Sequence, residues 1–448
     1  MKLDGFAESV STNDSTIAGW QVGRLHPTPS HIPTGWELVH LTSVARLESG
    51  HTPSRRMPEY WDGDIPWISL HDSNALDVPV IFQTAKTIST LGLENSSARL
   101  LPKGTVVFSR TATVGKATVM GREMATSQDF ANYVCGDRVS SQFLMHLFRY
   151  MEREWSRLMA GSTHNTIYMP VFRDLQVMLP PRTEQEAIAT ALSDVDALIS
   201  SLDQLIVKKR DIKQATMQQL LTGKQRLPGF VAERKREQPY KHTEVGEIPA
   251  DWAVMKLRDL ATFRTGPFGS ALHKSDYTIN GVPVINPMHI ADGQIQPTAT
   301  MSVTEAAAEQ LREFRLKRGE IILGRRGDMG RCAVVKEMHV GWLCGTGSMI
   351  VRCGTLVHSE FLQRVLSSAA VVAAIEAASV GSTMINLNQG TLAELSIQTP
   401  SFEEQSAIAS VLSDMAAEIT ALEQKRDKTR ALKQGMMQEL LTGRIRLV

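Results

Sequence analysis

Two stretches of the chain carry the same seam of apolar positions. In the first, Ile188, Leu192, Val195, Ile199, Leu202 and Ile206 recur in alternating steps of four and three. In the second, Ile408, Leu412, Met415, Ile419 and Leu422 do the same. This is the a/d rhythm of a coiled coil, and it predicts two long helices that each bury one narrow stripe. Toward the C-terminal ends the seams turn polar at Lys209, Arg426 and Thr429, then apolar again at Leu220–Leu221 and Leu440–Leu441. The flanks agree with helices. "PPRTEQE" and "PSFEEQS" set proline, a hydroxyl residue and carboxylates at the starts, where acids meet the positive end of the helix dipole. Lys208, Lys209, Arg210 and Lys213 lie toward the far end of the first helix, and Gly223 and Gly443 in "LLTG" are placed as left-handed stop residues. Thr183 to Thr222 is 40 residues, about 60 Å of helix. A helix that long with one apolar stripe needs a partner. Its own copy, lying antiparallel, is the nearest one; packing of each helix on its own domain is the alternative.

The seams belong to a larger duplication. "EQEAIATALSDVDALISSLDQLIVKKRDIKQATMQQLLTGKQRL" from Glu184 aligns without a gap to "EQSAIASVLSDMAAEITALEQKRDKTRALKQGMMQELLTGRIRL" from Glu404, with more than half the positions identical. Upstream, "KGTVVFSRTATVGKATVM" is similar to "RGEIILGRRGDMGRCAVV", and "IPTGWELVHL" to "IPADWAVMKL". "KLDGF" at Lys2 answers "RLPGF" at Arg226. The period is about half the chain, so this is a duplicated domain rather than a solenoid. Similarity is high over the helices and low over 68–103 and 285–318. One part of the unit does the same work twice, and the other is free to do two different things. Those variable parts read as α+β. "TVVFS" and "EIILG" are strand-like, the glycines of "RTATVGK" and "RRGDMGR" are turns, and 142–159 and 360–378 are each expected as one amphipathic helix.

Composition narrows the function classes. The chain has 448 residues, 42% apolar and 21% charged, with a net charge of +1, which suits a globular protein with a substantial core. Net charge gives no whole-chain sign of nucleic-acid binding, so any such binding rests on local patches. Cys135, Cys332, Cys344 and Cys353 stand far apart with no CxxC pair, which fits a reducing cytosol better than a disulfide framework. Cys332, His339, Cys344 and His358 match no zinc spacing. The N-terminus lacks the apolar core of a signal peptide, and no run of about 18 apolar residues suggests a membrane span. No GxxxxGK[ST], HExxH or GxSxG is present. "NPMH" at Asn286 lacks the Pro-aromatic pair of the amino-methyltransferase tetrapeptide and reads as a turn.

The polar candidates gather on loops. In the first copy they are His51, Ser54 and Arg55 of "HTPSRR", Ser109, Arg110, Thr111 and Lys116 of the strand-turn, and His164 and Asn165. In the second they are Lys274 and then Arg325, Arg326 and Arg331. Arg, Lys, Ser, Thr and Asn on loops are the groups that meet phosphates and base edges, although any one of them alone reads as a solvated turn.

Taken in order, "IPTGW" and "YKHTEVGEIPADW", "FSRTATVGK", "GST", "P-x-x-E-Q-x-x-I-A" and "LLTG", given nearly twice over, resemble the specificity (S, HsdS) subunit of type I restriction-modification systems. The resemblance covers nearly the whole chain. It implies two pseudo-symmetric α+β target-recognition domains and two long helices paired as an antiparallel coiled coil. The expected boundaries are an N-terminal segment 1–29, domains at 30–180 and 248–400, helices at 181–227 and 401–448, and a linker at 228–247. It also implies a non-catalytic subunit in the bacterial or archaeal cytoplasm that binds double-stranded DNA at a bipartite, asymmetric target. Its partners would be two modification subunits that hold S-adenosylmethionine and methylate adenine N6, with two restriction subunits, using ATP and Mg, as optional members. The chain itself would hold no cofactor. The competing readings are an enzyme in its own right, a nuclease or methyltransferase, and a two-domain scaffold or binding protein without DNA that dimerises through its helices.

Overall fold

The computed structural model describes residues 32–159, 165–231, 239–267, 271–377 and 387–447; "KLDGF" lies outside them. The chain divides into two compact units, Met1–Gln204 with Glu423–Val448, and Leu205–Leu422. Each long helix therefore begins in one unit and ends in the other.

In the first unit, strand Glu37–His40 pairs antiparallel with Gln176–Leu179, so the domain closes on itself just before the first long helix begins. Its main sheet runs in the order Ala45–Ser49, Phe130–Cys135, Val106–Ser109, Ala117–Met120, Val80–Ile81. A smaller sheet places Trp61–Ile68 between Thr87–Ile88 and Ala125–Thr126, the latter parallel. The core is aromatic: Phe108 lies 4.8 Å from Trp155, 5.3 Å from Phe172 and 5.4 Å from Phe148, ring to ring. The second unit repeats this plan. Ala253–Lys256 pairs with Ser396–Thr399, the sheet runs Ala261–Thr265, Ser348–Cys353, Ile321–Gly324, Cys332–Val334, and Val282–Ile285 lies parallel to Leu343–Cys344.

The helix expected over 142–159 is two, Ser141–Tyr150 and Glu152–Met159. The break frees the Phe148 carbonyl, and Trp155 Nε1 donates to it at 2.8 Å, which docks the indole in the core. The counterpart over 360–378 is also two helices, Ser359–Leu366 and Ala369–Ala377. Here Ser367 and Ser368 hydroxyls donate to the carbonyls of Arg364 and Val365 at 3.1 and 2.7 Å and end the first helix locally. The expected linker 228–247 reaches into structure: Tyr240–Thr243 forms a hairpin with Gly246–Pro249.

The long helices are Arg182–Leu221 and Phe402–Leu440. They are antiparallel, as the ion pairs along them show. Asp196 meets Lys433 at 2.7 Å and Asp203 meets Arg430 at 3.0 Å in the first unit, while Lys209 meets Glu418 at 2.6 Å in the second. The same stretch buries Leu202, Ile206 and Ile419 and half-buries Val195, Ile199, Met415 and Leu422. The seam is nevertheless divided. Ile188 and Leu192 sit in the first domain's core with Phe143 and Leu144, joined by Met437, Leu440 and Leu441 from the far end of the other helix. Ile408, Leu412, Leu220 and Leu221 repeat this in the second domain. Pairing and packing on the domain are thus both realised, at different heights of the same helices.

Both helices stop as "LLTG" predicts. Gly223 and Gly443 have φ of +68° and +71°, and a Cβ there would come within 2.5 Å of Pro249 and Pro33 respectively. Neither sterics nor backbone would accept another residue without strain. Just beyond each stop an arginine crosses to the other helix's first turn. Arg226 forks onto the Glu404 carboxylate at 2.7 and 2.6 Å, and Trp252 Nε1 donates to the same carboxylate at 3.0 Å. Arg446 forks onto Glu184 at 2.6 Å twice, and Trp36 Nε1 donates at 3.1 Å. Each guanidinium also lies over its tryptophan ring, 5.9 Å from the centroid. The neighbouring glutamines complete the joint. Buried Gln185 bonds Ser140 N and the Arg138 and Pro180 carbonyls; buried Gln405 bonds His358 N and the Leu356 and Pro400 carbonyls.

The Arg226 and Glu404 side chains are 5% and 1% exposed, so removing one partner strands a buried charge. Arg226→Leu is expected to cost about 3 kcal/mol or more in urea denaturation. Arg226→Lys should recover only part of that, because an ammonium cannot fork onto a carboxylate.

Candidate nucleic-acid interface

In the first domain the loops that follow the sheet strands converge at one end. His51 N donates to Thr126 O, Ser127 N to Ile68 O, Arg110 N to Asp129 O and Ala112 N to Asn165 O, at 2.8 to 3.2 Å. The loops after Ser49, Ile68, Ser109 and Thr126 and the segment 165–168 are therefore one surface, cross-linked by backbone. Two residues hold left-handed backbone there, Ala112 at φ +60° and Asn165 at φ +45°.

The candidate residues divide by what their side chains do. His51, Ser54 and Arg55 are exposed. His51 O receives Trp67 Nε1 at 3.0 Å, Ser54 Oγ receives Arg56 N at 3.4 Å, and the Arg55 guanidinium makes no bond among the described residues. Arg110 is turned inward at its tip. Its Nε and Nη2 donate to Gln128 O at 3.0 and 2.6 Å and its Nη1 to Ile167 O at 3.2 Å, so it braces three loops. Burial pulls its pKa down and Asp129 opposes that, and it stays charged. Thr111 bridges to Thr166 across the turn. Asn165 is exposed, and its carbonyl fixes Ala112.

One candidate is corrected. Ser109 has no exposed surface, and its hydroxyl bonds Thr113 Oγ1 at 2.9 Å and Thr111 O at 3.2 Å; it shapes the turn and meets nothing outside. Lys116 is engaged by Asp77 at 2.7 Å and Ser73 O at 3.0 Å. His164 lies outside the described residues, as does the side chain of Lys274, whose backbone opens the turn Lys274–Asp276.

In the second domain Arg325 holds the Arg110 position. Arg325 N donates to Gly347 O at 3.0 Å and Arg325 O receives Leu387 N at 2.9 Å. Burial, then the nearby charge of Arg326, lowers its pKa. Its Nε is buried without an acceptor among the described residues. Arg326 is exposed, and Arg331 is ion-paired with Asp328. "NPMH" is a short 3-10 turn, with Asn286 Oδ1 receiving Gly347 N at 3.2 Å.

Sequence reasoning passed over Gln128 and Tyr168, both exposed on the first loop surface, Tyr168 by 61%. The signal available for Gln128 was its place in "TSQDF", a polar turn leading directly into a strand. The cysteine and histidine set dissolves. Cys332 Sγ bonds Gln363 O, His339 Nδ1 receives Lys336 N, and burial pushes the Cys332 thiol up to about 12. Among the described residues no group of three or more His, Cys, Asp or Glu is placed to hold a metal ion, and no helix is long and apolar enough to cross a membrane. What the surfaces offer is fixed donors and acceptors of the kinds that meet phosphates and base edges.

A family model described as type I restriction modification DNA specificity domain matches residues 33–208 and 249–430. The type I restriction enzyme MjaIX specificity subunit of Methanocaldococcus jannaschii is 28% identical over 265 residues, 58% of this chain and 60% of that protein. The MjaVIII specificity subunit of the same organism is 23% identical over 431 residues, 93% of this chain and 94% of that one. Among solved structures, the type I restriction-modification S subunit from M. genitalium superposes with a TM-score of 0.54 at 14% identity, covering 92% of this chain and 96% of that one. A chain from a structure on complex assembly and conformational transition of the type I R-M system gives 0.55 at 17% identity, covering 93% and 100%. These structural likenesses carry the fold.

The division of labour among the loop arginines is measurable. Arg110→Ala removes three charge-assisted bonds and is expected to destabilise the protein by about 2–3 kcal/mol in thermal or urea unfolding. Arg55→Ala should leave stability unchanged, and should lower the salt slope of DNA binding by about 1 if Arg55 meets a phosphate.

Proposed function

The chain belongs to the type I restriction-modification DNA specificity family, and from that premise we propose that it selects a bipartite DNA target for partner subunits that act on it. The observation that carries this is the unequal duplication. The scaffold is repeated down to its clasps and stop glycines, whereas the loop surfaces differ at position after position: Gln128 against Thr346, Lys116 against Arg331, Thr111 against Arg326. Two unlike reading surfaces on one repeated frame suit two unlike half-sites separated by unread base pairs.

In this reading the first loop surface reads one half-site and the second the other. The paired helices set the unread spacer and dock two modification subunits, and restriction subunits join where the system has them. Adenine N6 methylation and its S-adenosylmethionine belong to the modification subunits, ATP and Mg to the restriction subunits, and extrusion of the target base to the partner. The assembly works in the cytoplasm. The sequence departs from symmetry where DNA would be read and keeps it where subunits would dock, which is the distribution that this division of roles requires.

The test is the adenine-methylation pattern of a host that expresses the chain with its modification subunits. The expected result is one split motif with two different half-sites. A palindromic pair of identical half-sites contradicts the reading of the loops. Salt-dependent binding of duplex DNA by the assembled complex should accompany it. A complex that binds no DNA favours the scaffold reading instead.

A further inference from the structure

The loop Ser127–Asp129 is held more firmly than an exposed turn needs to be. Ser127 N donates to Ile68 O at 2.8 Å, and Ser127 Oγ donates to Asp129 Oδ2 at 2.8 Å while receiving Asp129 N at 3.3 Å. Arg110 grips Gln128 O with two N–H groups and Asp129 O through its backbone. The one side chain that this arrangement presents outward is Gln128, and it too is fixed. Its Oε1 receives the Thr52 hydroxyl at 2.6 Å.

We propose that Gln128 is a base-reading residue of the first domain and that its match is adenine, with Thr52 and Arg110 as positioning residues. The proposal rests on the DNA-reading function above and deepens it. The chemistry follows from the amide. Oε1 has two lone pairs, and Thr52 occupies one. The other is available to the N6–H of adenine, while Nε2–H faces N7 in the two-point contact that Gln makes with that base. With the Thr52 hydroxyl donating to Oε1, the carbonyl end of the amide is the end held against Thr52. Guanine presents two acceptors, O6 and N7, to the same pair of atoms, so its O6 would lie against Oε1 unpaired. A rigid loop matters because discrimination of this kind depends on a side chain held to about half an ångström.

The second domain supplies the contrast. There the residue in the same place, two before the strand Ser348–Cys353, is Thr346 between Gly345 and Gly347. The backbone is pinned alike, with Gly345 N on Ile285 O at 2.9 Å and Arg325 N on Gly347 O at 3.0 Å. A single hydroxyl on that frame cannot make the two-point contact. The adenine readout at this position therefore belongs to one half-site only.

The test uses the full chain with its modification subunits, selecting from duplexes in which both half-sites are randomised. With Gln128→Ala, discrimination at a single base pair of one half-site should fall about 10- to 100-fold, with the other half-site unchanged. Gln128→Arg should move the preference at that position toward guanine. Thr52→Val should weaken discrimination there with little loss of overall affinity, and Thr52→Ser should restore it. Wild-type discrimination retained by Gln128→Ala, or a uniform loss over both half-sites, overturns the proposal. A wild-type complex that selects no sequence overturns the DNA-reading function itself, and the proposal with it.

Discussion

The structure depends on a carboxylate at the start of each long helix and an arginine just past the end of the other. Glu184 with Arg446, and Glu404 with Arg226, are forked pairs at 2.6 to 2.7 Å, each closed by an indole N–H from the domain's opening strand region. A buried ion pair is weak evidence for stability, because desolvating two charges offsets most of their attraction. It is better evidence for specificity. An uncompensated charge here would be costly, so a slipped register of the helices leaves the carboxylate unpaired and is disfavoured. The two clasps therefore fix register at both ends, and the looser ion pairs between them, such as Asp203 with Arg430, need only be compatible with it.

That constraint explains the uneven similarity between the two halves of the chain. "EQ" and "LLTG", with the "RL" that follows, are identical in both halves because geometry requires each of them. The glutamate closes the clasp, the glutamine welds the helix to its domain, the glycine makes the left-handed stop, and the arginine returns to the clasp. The loops carry no such shared requirement. Ser109, buried and bonded within its turn, is Gly324 in the other copy, and the turn survives the exchange because backbone bonds to Arg331 and Gly347 hold it. At this turn the side chain varies while its backbone is held by something else, which is the condition a reading surface needs.

The long helices, their stop glycines, the strands "TVVFS" and "EIILG" and the duplication were legible in the sequence, because heptad spacing, left-handed glycine and apolar runs are local signals. The clasps were not. Glu184 looks like any acid in a first turn, and Arg446 lies 262 residues away from it. The broken helices were hidden for a different reason, since apolar spacing runs unbroken through both breaks. An indole seven residues on filling the Phe148 carbonyl is a side-chain event that 3.6-residue periodicity does not report. For the loops, residue type did not tell exposed side chains from held ones. Ser109 is buried and Lys116 is held by Asp77, while Gln128 and Tyr168, unremarkable by type, are exposed. Exposure at a turn is decided by which neighbour supplies the partner, and Asp77 or Thr52 becomes a neighbour only in the fold.

The division of roles proposed for this chain is that loops read and helices space. It is tested most directly by inserting the same whole number of heptads into both long helices, between the clasps, and determining the recognised DNA motif. The expected result is a longer unread spacer between two unchanged half-sites. Altered half-sites with an unchanged spacer would mean that the helices themselves read DNA, and would contradict it.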